Sequence, residues 1–206
     1  MHTLYATMGS GNCYKAHLIM HQLGISYQTK LIDVLKGETR QASYLAINSN
    51  GTVPFLRLSD GQTIAESNAM LWYLAADSSL APQSAYEQAM AVQWFIFEQT
   101  RLEPNISPAR FFTSIVPSRR QEMSAAIEEW QRKGTEALKV LDANLRKRDF
   151  VLGSKYTITD IAIYGYTHVA QEGGFDLLSY RGIMNWMSRV ASTPHYLPME
   201  TIAAAA

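Results

Sequence analysis

Apolar residues recur along the chain with two periods. Leu4, Tyr5 and Ala6 make a short apolar run that stops at a turn punctuated by Gly9 and Gly11. Beyond it Ala16, Ile19, Met20 and Leu23 fall at i, i+3, i+4 and i+7, which predicts an amphipathic helix over 14–23. Gly24 ends that helix. Ile25, Tyr27, Thr29 and Leu31 then alternate with Ser26, Gln28 and Lys30, the period of a strand. Strand, helix, strand favours a parallel pair. Residues 36–50 are polar, with a short helix expected at 42–45. Pro54 interrupts next; it cannot donate to a ladder and holds Val53 extended. Strands are expected at 55–58 and 62–64 around a Ser59-Asp60-Gly61 hairpin turn. Ser67 or its neighbour caps a helix carrying Met70, Leu71 and Leu74.

From residue 85 the period is helical throughout. Residues 77–84 read as a linker. Residues 85–101 are apolar nearly all round (Met90, Val92, Trp94, Phe95, Ile96, Phe97) and are expected to be buried. Pro104 and Pro108 interrupt, and Pro117 suits the first turn of a long helix whose stripe is Met123, Ile127, Trp130, Ala137, Leu141 and Leu145. Thr157-Ile158-Thr159-Asp160 is a capping box with aspartate in place of glutamate. Ile161, Ala162, Ile163, Tyr164 and Tyr166 follow in a buried helix, and Ile183, Trp186, Met187 and Val190 mark a final one before Pro194. The expected division is an α/β part at 1–77, a linker at 78–84 and an all-helical part at 85–206, closing on a frayed tail at 203–206.

The chain has 206 residues, 47% of them hydrophobic, enough for one large core or two small ones. Its 18 basic and 18 acidic residues balance, against a nucleic-acid or membrane partner held by bulk charge. No apolar run approaches the ~18 residues of a membrane span, and the start lacks the pattern of a signal peptide. One cysteine, Cys13, excludes an internal disulfide and a four-cysteine metal site. His17 and His21 stand at i, i+4 without a third ligand, so no metal is expected. A reducing, cytoplasmic setting is the default. Ser10 and Asn12 are both N-cap types. Free N–H groups and the positive end of the dipole gather there, so the turn suits an anion.

Four motifs, Ser10-Gly11-Asn12-Cys13, Gly51-Thr52-Val53-Pro54, Glu66-Ser67 and Thr157-Ile158-Thr159-Asp160, occur in this order within an α/β opening and a helical second half. Together they resemble the cytosolic glutathione S-transferase family over essentially the whole chain, with the serine/cysteine-type N-terminal motif of bacterial members. The resemblance implies a thioredoxin-like N-terminal domain that binds glutathione, an all-α C-terminal domain that supplies most of the electrophile pocket, and a homodimer. It implies a glutathione transferase that conjugates the thiol to a small apolar or aromatic electrophile. The alternatives are glutathione-dependent peroxide or disulfide reduction, and a non-catalytic glutathione-binding member.

The four residues 10–13 stand where thioredoxin-like domains carry Cys-x-x-Cys. A serine hydroxyl does not ionise at neutral pH and Cys13 has no partner cysteine, so dithiol cycling within the chain is out. Ser10 can instead donate to the thiolate of glutathione, whose unperturbed thiol has a pKa of ~8.5; Asn12 and Cys13 are the rival partners. Tyr5 lies near the position of a catalytic tyrosine in other classes, though core packing suits it better. By resemblance Val53-Pro54 is a cis-proline turn that pairs with the cofactor's cysteinyl unit, while Ser67 holds its γ-glutamyl carboxylate and Glu66 its ammonium. Thr52 stands where many relatives have a glutathione-binding lysine, so Lys36 or Arg40 is the candidate substitute. Arg110, Phe111 and Phe112, with Tyr166 opposite, are expected to line the electrophile pocket. Thr157 and Asp160 are expected to cap a buried helix.

Overall fold

A computed structural model describes residues 1–204, with side chains as far as Ile202. The chain divides into two compact units, Met1–Ala81 together with the segment from Pro194 onward, and Pro82–Thr193.

The first unit runs β1 (His2–Ala6), α1 (Gly11–Gln22), β2 (Tyr27–Leu31), a 3-10 turn (Glu38–Arg40), α2 (Ala42–Leu45), β3 (Phe55–Arg57), β4 (Thr63–Ile64) and α3 (Ser67–Ala75). Its sheet has the order β2-β1-β3-β4. β1 and β2 are parallel, as a strand–helix–strand opening requires, with Tyr5 opposite Lys30. β3 runs antiparallel to both β1 and β4, with Tyr5 opposite Phe55. Successive β1 side chains alternate between faces. Tyr5 packs edge-on to Phe55 (ring centroids 5.3 Å) and Tyr44 (6.2 Å), so it is core.

α1 is buried on far more than the expected stripe. Lys15 and His17 are enclosed with Ala16, Leu18, Ile19 and Met20. His17 Nδ1 lies 2.8 Å from the Tyr27 hydroxyl, and burial drives its pKa down to about 4.

The second unit is helical: α4 (Ala85–Phe97), a π-type turn (Glu98–Leu102), α5 (Glu103–Arg110), a second π-type turn (Phe111–Ile115), a 3-10 turn (Pro117–Arg119), α6 (Ser124–Leu145), α7 (Ile158–Thr167) and α8 (Arg181–Ala191). Three expectations give way here. α4 is amphipathic, burying Ala91 and Trp94 while Tyr86, Val92 and Ile96 are exposed. Pro108 lies inside α5 instead of breaking it, and the helical path loosens into π-type turns on either side. Pro117 starts its own 3-10 turn, and the long helix begins only at Ser124.

Two buried carboxylates tie the helical unit together. Asp160 Oδ2 accepts from Thr157 N (2.9 Å), completing the expected capping box, while Oδ1 accepts from Val151 N (2.8 Å) and Trp186 Nε1 (2.9 Å). Asp142 Oδ1 accepts from Gly182 N (2.7 Å) and Ile183 N (3.2 Å), capping the start of α8 from another helix.

The segment after Pro194, expected to belong with the helical part, groups with the first unit. The Tyr14 hydroxyl donates to Leu197 O (2.7 Å), and His21 Nδ1 lies 2.8 Å from His195 O. The segment ends in a short helix, α9 (Met199–Ala204), which takes in two positions of the expected frayed tail; Ala205 and Ala206 lie outside the described residues. No described helix is long and apolar enough to cross a membrane.

Candidate functional site

β1 delivers the chain to the turn at 7–10, and Gly9 takes a positive φ of 72° there, open to glycine without strain. Ser10 is the N-cap of α1, extended at φ −77° and ψ 125°, with Oγ accepting from Cys13 N at 3.3 Å. That bond uses a lone pair and leaves the hydroxyl proton to donate. The unsatisfied first-turn N–H groups and the dipole add positive potential at the same place.

Cys13 is enclosed, and its sulfur accepts from Thr7 N at 3.4 Å. Burial pushes its thiol up to about 11, more than the neighbouring Ser10 and Thr7 donors lower it. It therefore stays protonated at neutral pH.

The Val53–Pro54 bond is cis. The turn leads into β3, whose Phe55 faces Tyr5, so it abuts the same end of β1 as the Ser10 turn. Tyr44 Oη (2.8 Å) and Asn48 Nδ2 (2.9 Å) both donate to Thr52 O, fixing the turn from below. The N–H and C=O of Val53 have no hydrogen-bond partner among the described residues and stand ready for strand-like pairing. The Thr52 side chain is exposed. Arg40 is also exposed and sits beside this turn, with Nη1 donating to Asn50 O at 3.5 Å. A Cβ on Gly51 would lie 2.8 Å from that nitrogen. Lys36 instead pairs with Asp33 at 3.0 Å.

Glu66 is exposed at the N-cap of α3, and Ser67 is the first residue of that helix. The Ser67 hydroxyl, expected to face a ligand, is buried against Asn12 Oδ1 at 3.3 Å. Its backbone N–H, in the first turn, is left for an anion. Sequence reasoning missed Lys15 here. Its ammonium donates to Asn12 Oδ1 (2.8 Å), Asn68 Oδ1 (3.4 Å) and Ser67 Oγ (3.5 Å). The residues of the Ser10, Val53 and Ser67 motifs thus gather in one unit.

The expected electrophile contacts lie in the second unit and separate by burial. Arg110 is buried, its Nε 2.8 Å from Glu172 Oε2, and Tyr166 is buried in α7. Phe111 is half-buried and edge-on to Phe112 (5.1 Å), which stacks on Trp130 (5.9 Å). A cavity of ≈ 730 Å³ in this unit holds none of the expected site residues. Its Arg146 and Arg189 are engaged by Asp142 and by the carbonyl of Asp149. Among the described residues no three His, Cys, Asp or Glu side chains are grouped to hold a metal.

Residues 9–77 match the glutathione S-transferase N-terminal domain and residues 102–194 the C-terminal domain. A crystal structure of a glutathione S-transferase from Pseudomonas fluorescens is 40% identical and superposes with a TM-score of 0.93, covering 96% of this chain and 98% of that one. A glutathione transferase from Phanerochaete chrysosporium, solved in complex with oxidized glutathione, is 25% identical with a TM-score of 0.84, covering 99% and 96%. The disulfide-bond oxidoreductase YfcG of Escherichia coli is 27% identical over 190 residues, 89% of this chain and 87% of the relative. With a thioredoxin-like sheet, a helical second unit and both domains matched, the chain belongs to the glutathione S-transferase family.

Proposed function

We propose that the protein is a glutathione transferase that binds glutathione beside the Val53–Pro54 turn, holds its sulfur at the start of α1 and adds it to a small apolar or aromatic electrophile. The observation that carries this reading is the Ser10 hydroxyl. It sits at the helix N-cap, at the end of β1 where the unpaired Val53 backbone also lies, and its proton can turn to a sulfur brought in there. One donor and the helix N-terminus lower a thiol by a unit or more, each worth ~1.4 kcal/mol, which makes thiolate a major species at neutral pH. The thiolate then forms the carbon–sulfur bond as the electrophile's leaving group departs or its double bond takes up a proton.

The other parts follow the same chemistry. The free N–H of Ser67 and the carboxylate of exposed Glu66 suit the γ-glutamyl end, and Arg40 beside Gly51 supplies the positive charge that Thr52 lacks. Phe111 and Phe112, the half-buried aromatics among the four expected electrophile contacts, are assigned to the second substrate. The exposed Val92 and Ile96, one turn apart on α4, support a homodimer. The proposed setting is cytoplasmic. The Phanerochaete structure, solved in complex with oxidized glutathione, supports a glutathione-type ligand for this groove.

A second reading has one observation behind it, the likeness to a disulfide-bond oxidoreductase. In it the activated glutathione thiolate attacks a disulfide, forming a mixed disulfide with glutathione and releasing a thiolate. Cys13, buried and protonated, takes no part.

Calorimetry with glutathione, an ultraviolet difference spectrum for bound thiolate and turnover of an electrophile panel test the reading. Ser10→Ala is expected to lower the rate at neutral pH about tenfold or more. No binding of glutathione at millimolar concentration refutes it. Turnover of disulfides and of no electrophile transfers the assignment to the second reading.

A further inference from the structure

A charged lysine is rarely enclosed in a protein, because its ammonium loses water. Lys15 is fully buried, directly behind the first turn of α1. Asn12 and Lys15 stand at i, i+3, one face of the helix. Residues Ser67 and Asn68 come from the first turn of α3, so the ammonium bridges the starts of two helices.

The chemistry of that contact fixes an orientation that coordinates alone leave open. An amide oxygen and nitrogen look alike, and side-chain amides are assigned from their partners. An ammonium only donates. The Asn12 atom 2.8 Å from Lys15 Nζ is therefore the oxygen, and the Ser67 hydroxyl, 3.3 Å away, meets that same oxygen. With Oδ1 held by two donors, the NH₂ group of Asn12 is turned away from Lys15. That group has no partner among the described residues. Asn12 is half-buried and lies two residues from the Ser10 cap.

We propose that Lys15 is a positioning residue of the glutathione site, which clamps Asn12 Oδ1 so that the Asn12 Nδ2–H donates to the glutathione sulfur as a second donor beside Ser10. The inference rests on the transferase reading above. It differs from the bland role of a strut between α1 and α3, because a strut has no bearing on a bound thiol. The clamp delivers a donor whose N–H is polarised by the ammonium on the far side of the amide, as hydrogen bonds in a chain polarise one another.

The test uses the full chain and its Lys15→Met, Asn12→Ala and Asn12→Asp variants. S-methylglutathione, which cannot form a thiolate, reports binding by calorimetry. The pH dependence of the ultraviolet difference spectrum reports ionisation of bound glutathione. Lys15→Met is expected to bind S-methylglutathione within about threefold of wild type. It should raise the apparent pKa of the bound thiol by about one unit, a tenfold lower rate on the acid side that recovers at high pH. Asn12→Ala should give the same shift, and combining the two should add nothing, as expected for residues acting through one contact. Should Lys15→Met fail to fold, Asn12→Ala decides, since it removes the N–H without adding charge and the thiol pKa must then rise, while Asn12→Asp, which keeps a partner for Lys15, must show a rise at least as large. An unchanged thiol pKa in a folded Lys15→Met, in Asn12→Ala or in Asn12→Asp overturns the proposal while leaving the transferase reading intact. Absence of glutathione binding to the wild type overturns both.

Discussion

Asp160 is the place where burial and hydrogen bonding oppose each other most directly. Its carboxylate accepts from Val151 N, Trp186 Nε1, Thr157 N and, at 3.3 Å, the Thr157 hydroxyl, all without solvent contact. Those donors favour the ionised form, yet desolvation outweighs them and lifts the pKa from 3.8 to about 6. Replacing Asp160 with alanine leaves three buried N–H groups without an acceptor. At ~1–3 kcal/mol each the loss is several kcal/mol, less the ~3 kcal/mol that ionising the buried carboxyl costs at neutral pH. A net loss of ~0–6 kcal/mol follows, the upper part of which is a large share of the stability of an ordinary domain. Asp160→Asn keeps Oδ1 for Val151 and Trp186 but sets an NH₂ against Thr157 N–H, so it should lose less than alanine. The pH dependence carries the sharper test. A group whose pKa is raised by folding contributes stability that is fully present below its unfolded pKa of 3.8 and lost as pH rises through about 6. The penalty of Asp160→Ala should therefore grow by up to ~3 kcal/mol between pH 7 and pH 4. Urea unfolding of both proteins across that range measures it. A penalty that shrinks on acidification would show that the donors win over burial, and the reasoning would be wrong.

His17 gives the opposite slope. Its pKa is lowered by burial to about 4, so its contribution is fully present above 6.5 and lost as pH falls toward 4; in His17→Gln up to ~3 kcal/mol of that acid-side loss should vanish from unfolding curves. Cys13, held protonated up to about 11, should react with an aromatic disulfide reagent at about pH 8 only on unfolding, and Cys13→Ser should keep transferase activity within about threefold. Gly182→Ala would place a Cβ 2.8 Å from Asp142 O and 2.9 Å from Arg146 N, both backbone atoms with nowhere to yield, so thermal unfolding should show a loss of ~2 kcal/mol or more. In Gly134→Ala the clash is with the Phe175 ring at 2.5 Å, again in a packed core, and a loss of ~1–3 kcal/mol is expected in the same assay.

The sheet was legible in the sequence because β1 is a short apolar run, β2 alternates with period two, and the turns around β3 and β4 carry glycine or proline where the backbone demands them. The 42–45 helix and both capping residues of α7 were legible for the same local reasons. The errors in the second unit arose where a local rule met tertiary packing. Pro108 breaks the ideal ladder, but α5 accommodates it between two π-type turns. The apolar run of α4 reads as a buried helix, yet Tyr86, Val92 and Ile96 face outward. Hydrophobicity shows that a face needs cover and cannot show which surface covers it. The segment after Pro194 was misplaced because its ties to the first unit, Tyr14 to Leu197 O and His21 to His195 O, end on backbone carbonyls. Any residue type could have supplied those carbonyls, so no side-chain pattern announces them.

The site divides along the same line. The local geometry at Ser10, Val53, Pro54 and Glu66 was readable because each has a local consequence, a cap, a turn or an exposed helix start. Lys15 was not, because on an isolated helix a lysine at that position reads as solvated surface. Its burial depends on the start of α3 arriving from fifty residues away, with Ser67 and Asn68 presenting oxygens to it. The one local signal is the spacing from Asn12, and i, i+3 pairs are common. The departure at Thr52 can now be placed in the same terms. The backbone of that turn is held by Tyr44 and Asn48 through Thr52 O, independently of which side chain residue 52 carries. A threonine there leaves the exposed rim without that charge and does not loosen the turn proposed to pair with glutathione. The buried charge at Lys15 survives that loss, since it reaches the site through Asn12 and is shielded from salt by the helices around it. Raising ionic strength should therefore weaken glutathione binding at the rim, where Arg40 is exposed, more than it shifts the ionisation of the bound thiol.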